Sequence, residues 1–443
     1  MAGRAVDEAF ECAAGWNFFL MEAFYIPFEI TACNTMIHFW RDDYSPAITF
    51  VVQIALYIAF NIYTVKWYGE SEFYLSITKL ILCIALLFFT FITMVGGNPQ
   101  HDAFGFRNFN HPDPFLPYLD SGALGQFEGF FAAVSKACFV CVSGEYLSMV
   151  AGEAKNPRNT MKNSFKTVIY RLALFYIGGA LSVGILVASN DPQLLASISS
   201  GKSDASASPY VIAIQNMGIK GLPSVVNVVI ILSAFSAGNS YYYCASRQLY
   251  SLAKKGFAPK CFLICSKEGI PVLAVGFTTI FALLSLLQLG KSSTVVLNWI
   301  VSLCTISQIL NYGFMTITYL CFYRALKVQG IDRRTLPYRA WYQPYSCIIA
   351  GFFIWCMVFT MGYISFKGGF HVDDFIFYYL MIFINIAIFI FWKLFKKTKF
   401  RKPEEVDLYT GLDEIIAHEK EIQEEKLNSG EKTRWQKIFA WIL

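Results

Sequence analysis

Residues 374–402 read DFIFYYLMIFINIAIFIFWKLFKKTKFRK. From Phe375 to Trp392 the run is almost wholly apolar, and then Lys393, Lys396, Lys397, Lys399, Arg401 and Lys402 crowd one flank. A helix rising ~1.5 Å per residue needs roughly 20 apolar residues to cross the hydrocarbon of a bilayer, so residues 374–395 are long enough to span. Working outward, comparable stretches occur at 15–40, 45–66, 73–96, 126–150, 166–189, 223–253, 271–290, 294–323 and 344–366. None alternates with a period of two, which excludes an outer-membrane barrel. The chain reads as an all-α polytopic membrane protein of about ten transmembrane helices.

Composition agrees. Hydrophobic residues make up 56%, aromatics 17% and charged residues 15% of the 443 positions, far from the averages of soluble domains. Residues 1–396 form one membrane domain and 397–443 a soluble tail.

The short loops fix an orientation, because lysine and arginine resist translocation. Lys155, Arg158, Lys162 and Lys166 follow the fourth span, and Lys254, Lys255, Lys260 and Lys267 the sixth. Arg324, Lys327, Arg333, Arg334 and Arg339 follow the eighth. These loops read as cytoplasmic, and the poorly basic loops 97–125 and 190–222 as external. An even number of spans then leaves both termini in the cytoplasm. The net charge of +5 mainly reflects this asymmetry, so nucleic acid is not an indicated partner, whereas membrane lipid is.

The twelve cysteines avoid both long external loops, which argues against a disulfide framework. Cys138 and Cys141 form a CxxC inside a span, without a nearby histidine, and read as small apolar residues. No metal or cofactor is expected. Asp7, Glu8 and Glu11 precede the first span, where a signal peptide carries no acids. The small, polar stretch 197–209 is either a plain connector or an external hinge. In the tail, Trp435, Ile438, Phe439, Trp441 and Ile442 form an aromatic patch that suits the membrane surface and the bundle equally well.

A charge at the centre of a spanning helix costs ~2.5–3.5 kcal/mol on insertion scales, so each needs a reason. Glu145 lies deep in the fourth span, directly after Ser143 and Gly144. Glycine weakens a helix, and unwound backbone inside a membrane is tolerated where it lines a cavity; a broken helix near residue 144 is the expectation. Glu29 follows Pro27, which frees a carbonyl in the first span. Glu22 lies two turns earlier. Lys79 in the third span and Lys136 in the fourth either snorkel or serve a polar cavity. Ser233, Ser236, Gly238, Asn239 and Ser240 in the sixth span, and Asn298, Ser302, Thr305, Ser307, Gln308 and Asn311 in the eighth, are either interhelical glue or cavity lining. The histidines sit at span ends or in soluble stretches, so intramembrane acid–base chemistry of an enzyme has no support. No repeated filter sequence suggests a pore.

Ser143-Gly144-Glu145, followed by Gly152-Glu153-Ala154-Lys155-Asn156-Pro157-Arg158, resembles the sixth-helix signature of the fungal amino acid permeases of the amino acid–polyamine–organocation superfamily. Gly15-Trp16 with Pro27-Phe28-Glu29, Ala207-Ser208-Pro209-Tyr210, Ser236-Ala237-Gly238-Asn239-Ser240 and Leu336-Pro337-Tyr338-Arg339 extend the likeness along the whole chain. Asp407-Leu408-Tyr409-Thr410 looks most like the dicarboxylic subgroup. The resemblance implies a twelve-helix transporter of two inverted five-helix repeats plus two helices, and proton-driven import of an amino acid across the plasma membrane. In that register Met1 falls just ahead of the family's third helix, so the first two helices are expected to be missing. Substrate is then expected at Cys141, Val142, Ser143, Gly144 and Glu145, facing Ser236, Asn239, Ser302 and Thr305. Lys136 would favour an acidic substrate, and Glu145, Glu29 and Lys79 are the candidates for proton coupling. Ser143 and Cys141 stand where the family has glycine and an aromatic gate. A non-transporting amino acid sensor is the competing class, and the tail offers a place for trafficking or ubiquitination machinery.

Overall fold

The computed structural model describes residues 1–41, 43–63, 65–110, 114–140, 144–150, 157–199, 208–289 and 293–428. Among them there is no β-strand. The elements used below are α1 (Glu8–Ile37), α2 (Pro46–Tyr63), α3 (Val65–Met94), α4 (Gly122–Val140), α5 (Gly144–Val150) and α6 (Pro157–Leu172). A π-helical turn, Ala173–Gly178, joins α6 to α7 (Gly179–Leu186). There follow α8 (Pro209–Asn216), α9 (Leu222–Lys254), α10 (Val272–Ala282), α11 (Ser293–Val328), α12 (Tyr345–Thr360), α13 (Val372–Lys396) and α14 (Leu412–Asn428).

Among the described residues every apolar stretch falls on helix, and eight of the segments are long and apolar enough to cross a membrane. Around the bundle, Phe88 and Phe91 of α3, Ile169 and Tyr170 of α6, and Phe352 and Phe353 of α12 are exposed. Such a sheath has no place in water and suits hydrocarbon. The expected interruption at Ser143 and Gly144 falls at residues 141–143, outside those described.

The helix at the centre is not among those eight. α1 begins at Glu8, ahead of the stretch that its apolar residues suggest, because Asp7 caps it: the Asp7 carboxylate accepts from the Ala9 amide at 3.0 Å, and Glu8 and Glu11 meet the positive end of the helix dipole. Asn17, Glu22, Glu29 and Asn34 dilute its apolar character, yet all four are buried. α1 packs chiefly against α9, α11 and α13, so protein rather than lipid surrounds it.

Side chain to backbone hydrogen bonds fasten this core helix along its length. Gln248 of α9 donates to the Gly15 carbonyl at 3.1 Å, Trp16 to the Phe257 carbonyl at 3.1 Å, and Asn227 to the Met36 carbonyl at 2.9 Å. Asn17 joins three helices, donating to the Ser307 carbonyl of α11 at 2.9 Å and accepting from Asn385 of α13 at 2.8 Å. Replacing Asn17 with leucine leaves these partners unmet in a dry core. The expected loss is about 1–2 kcal/mol, read as a lower melting temperature of the purified protein in detergent.

At the basic end of the bundle the two terminal regions clasp one another. Lys393 donates to the fully buried Asp7, Trp392 to Glu8 at 3.2 Å, and Lys255 to Glu11 at 2.8 Å. The Arg401 amide reaches the Val6 carbonyl at 2.8 Å, and Gln329 donates to the carbonyls of Pro403 and Val406. Burial pushes the Asp7 carboxyl up, but the bonds from Lys393 and the Ala9 amide outweigh it and hold Asp7 below the usual aspartate range. The stability this contributes is present above the ordinary aspartate value and is lost as pH falls through the lower folded value. Melting temperature followed against pH should show an acid-side decline that is shallower in Asp7→Asn than in the unchanged protein.

Candidate functional site

Three charged residues, Glu29, Glu72 and Lys79, gather around one face of α9. Glu72 and Lys79 are seven residues apart on α3 and so share a helix face. Lys79 donates to the Ser236 hydroxyl at 2.7 Å, and that hydroxyl donates to Glu72 at 2.7 Å. Glu29 of α1 lies within electrostatic reach of Lys79. One lysine is thus balanced by two acids through a serine relay.

Two neighbours lock this arrangement. Asn61 of α2 donates to Asn239 at 2.9 Å and to its own Tyr57 carbonyl at 2.9 Å. Gln53 donates to the Tyr57 hydroxyl at 2.8 Å. Gly238 lets the three helices meet: a Cβ there would stand 2.1 Å from the Tyr57 hydroxyl and 3.0 Å from Glu29 Cβ.

Beside the relay lies a cavity of about 480 Å³, lined by Glu29 and Lys79, by Ala237 and Ser240 of α9, and by aromatic side chains. Tyr25 stacks on Tyr241 with ring centroids 4.7 Å apart and donates to the Phe139 carbonyl at 3.2 Å. Phe28 meets Phe139 edge-on, and Tyr146 leans on Tyr241. Tyr176 enters from the π-helical turn, a local widening that often marks a functional position. A second cavity of about 300 Å³ shares Tyr146 and Tyr176 and continues along α6 past Arg171. A mostly apolar chamber with a few convergent polar groups is the usual form of a small-molecule site.

Glu145 sits behind this chamber. It is buried, and it accepts from Gln308 and, at 3.3 Å, from Tyr312 of α11. Its neighbour Tyr146 lines the cavity.

The structure therefore brings Glu29, Lys79 and Ser236 together and places Glu145 one residue from the cavity wall. Asn239 serves the α2–α9 contact. Ser302 and Thr305 turn back onto their own helix, donating to the carbonyls of Asn298 at 2.9 Å and Val301 at 2.5 Å. Lys136 is exposed on α4 and is not among the residues lining the cavity. Among the described residues, Gly144 has only Phe165 at 4.0 Å from where a Cβ would stand. Cys141, Val142 and Ser143 lie outside the described residues. Sequence reasoning missed Glu72, which the seven-residue spacing to Lys79 signals, and the aromatic lining, which nothing in so aromatic a chain singles out.

Gly238→Ala should overpack this junction. Tyr57 is itself fully buried and has little room to retreat, so a loss of about 1–3 kcal/mol is expected, read as a lowered melting temperature, with Gly276→Ala, which meets no neighbouring atom, as the neutral control.

The amino acid permease family model matches residues 1–405. The chain is 45% identical to the general amino acid permease AGP2 of Saccharomyces cerevisiae, over 96% of this chain and 73% of that protein. It is 38% identical to the proline-specific permease of Emericella nidulans, over 94% and 76% respectively. With the dicarboxylic amino acid permease of Saccharomyces cerevisiae it shares 35% identity over 98% of this chain and 73% of that relative. The fold, the polar cavity and these matches agree, and the chain belongs to the amino acid permease family.

Proposed function

We propose that this membrane transporter imports an amino acid across the plasma membrane by alternating access, coupled to protons, with both termini in the cytoplasm. The observation that carries the reading is the chamber holding Glu29 and Lys79 against an aromatic wall. An α-amino acid is a zwitterion, so its ammonium pairs with Glu29 and its carboxylate with Lys79 and the Ser240 hydroxyl. Its side chain lies against Tyr25, Phe28, Phe139 and Tyr241. The opposite charges at the two ends of the site orient the ligand, and the rings supply area without demanding one shape.

The same geometry favours a substrate with a neutral side chain over a dicarboxylic one. A second carboxylate needs a second cation, whereas Lys136 is exposed and Lys79 already answers Ser236 and two acids. The higher identity to a general permease than to the dicarboxylic permease is in line with this. Coupling is assigned to Glu29, which borders the chamber, and to Glu145 behind it, with Lys79 as the fixed charge that protonation of Glu29 would release. A ligand or proton shifts the inward- and outward-opening populations only by binding one of them better. Glu29 meets that condition because it lies between α1 and α9 and faces both the substrate and Lys79.

Purified protein reconstituted into liposomes should accumulate a radiolabelled neutral amino acid when the outside is acidic, and a protonophore should abolish the accumulation. Glu29→Gln and Lys79→Met should each lower the uptake rate about tenfold or more, some 1.4 kcal/mol of lost stabilisation. Uptake of both variants at the unchanged rate would remove the chamber from the mechanism, and saturable binding without accumulation would identify a sensor.

A further inference from the structure

We propose that Glu22 is the acid that holds the coupled proton, behind the aromatic wall of the substrate chamber and within electrostatic reach of Glu145. This rests on the proton-coupled reading above and names the group that carries the proton. Glu22 is 0% exposed in the middle of α1, and no hydrogen bond reaches either of its carboxyl oxygens. The groups with which it interacts are the Tyr146 hydroxyl and the carboxylate of Glu145. Glu145, by contrast, accepts from Gln308 and Tyr312. The donors are thus arranged for an ionised Glu145, and Glu22 faces that charge with no donor of its own.

A carboxyl taken out of water without a donor is held at least cost in its neutral form, and two acids at close quarters do not both ionise. The surroundings reinforce this. Tyr25 is on Glu22's own helix, Tyr146 lies beside Glu145, Tyr241 and Cys244 come from α9, and Cys304 and Tyr312 come from α11. All are groups that gain negative charge on losing a proton, and Glu29 lies two turns along. Tyr146 and Tyr241 also line the chamber, so two phenols stand between it and the buried Glu22. A proton arriving from the outer solution binds one Glu22 oxygen and leaves to the inner solution when the chamber opens there. No bond other than those to the proton forms or breaks.

The test uses the full chain in proteoliposomes, with three readouts: proton influx during substrate uptake, accumulation under an imposed pH gradient, and counterflow exchange at equal pH. The unchanged protein should take up protons with substrate. Glu22→Gln should exchange substrate in counterflow, lose accumulation above equilibrium, and lose the pH dependence of uptake. If the unchanged protein moves substrate without protons, the coupled reading itself fails. If it does move protons and Glu22→Gln still accumulates substrate with the original pH profile, the assignment to Glu22 is overturned while coupling stands. Should Glu22→Gln not assemble, infrared difference spectra of the unchanged protein and Glu22→Asp decide. Addition of substrate should perturb a protonated-carboxyl band that shifts in the aspartate variant, and a band identical in both would sink the proposal.

Discussion

Asn17 holds three helices at one buried point, and the arrangement of the bundle depends on that constraint. Inside a membrane, apolar contact between helices competes with equally apolar lipid, so the hydrophobic effect does little to choose neighbours. Hydrogen bonds choose instead. By donating to α11 and accepting from α13, Asn17 fixes which faces of α1 meet those helices. The bonds from Gln248 and Asn227 fix the face turned to α9. Polar residues that a soluble protein would keep at its surface are here part of the inner frame, and many phenylalanines and isoleucines are on the exterior.

Once α1 is enclosed in this way, its acids are committed to the interior. Glu29 and Glu22 stand two turns apart on one helix and point into the same polar region, one bordering the chamber and the other behind it. Pro27 between them leaves the Ala23 carbonyl without its helical donor. Gly238 brings α9 close enough for the Ser236 relay to face Glu29. The site is therefore a by-product of how tightly three helices approach, and the packing of Gly238 and the chemistry of Lys79 cannot be separated.

The helices were legible because span length and charged flanks are strong signals, and the family was legible in short motifs such as those around Glu145 and Asn239. The start of α1 was not, because Glu8 and Glu11 lower the local hydropathy while Asp7 caps the helix. Lipid does not face this helix, so its apolar count is a poor guide to its extent. Glu29, Lys79 and Ser236 stood out since charge is rare inside a span. Ser302 and Thr305 were on a core helix, but a hydroxyl that bonds its own backbone looks the same in sequence as one that bonds a ligand. The aromatic wall was invisible for a compositional reason. With 42 phenylalanines and 25 tyrosines in the chain, Tyr25 or Phe139 carries no contrast until the π-helical turn and the helix crossings bring such rings together.

The clasp between the two terminal regions has a consequence for biogenesis. Asn17 and its partner Asn385 are 368 residues apart, and Asp7 and Lys393 are 386 apart. The helix that carries Asn17 is thus synthesised long before the last helix that satisfies it, and closing so long a loop is slow. Until α13 emerges, α1 lacks the partners that satisfy Asp7, Glu8 and Asn17. Its marginal hydropathy suits such a delay, since a helix that entered lipid irreversibly on its own would be free to settle with the wrong face turned inward.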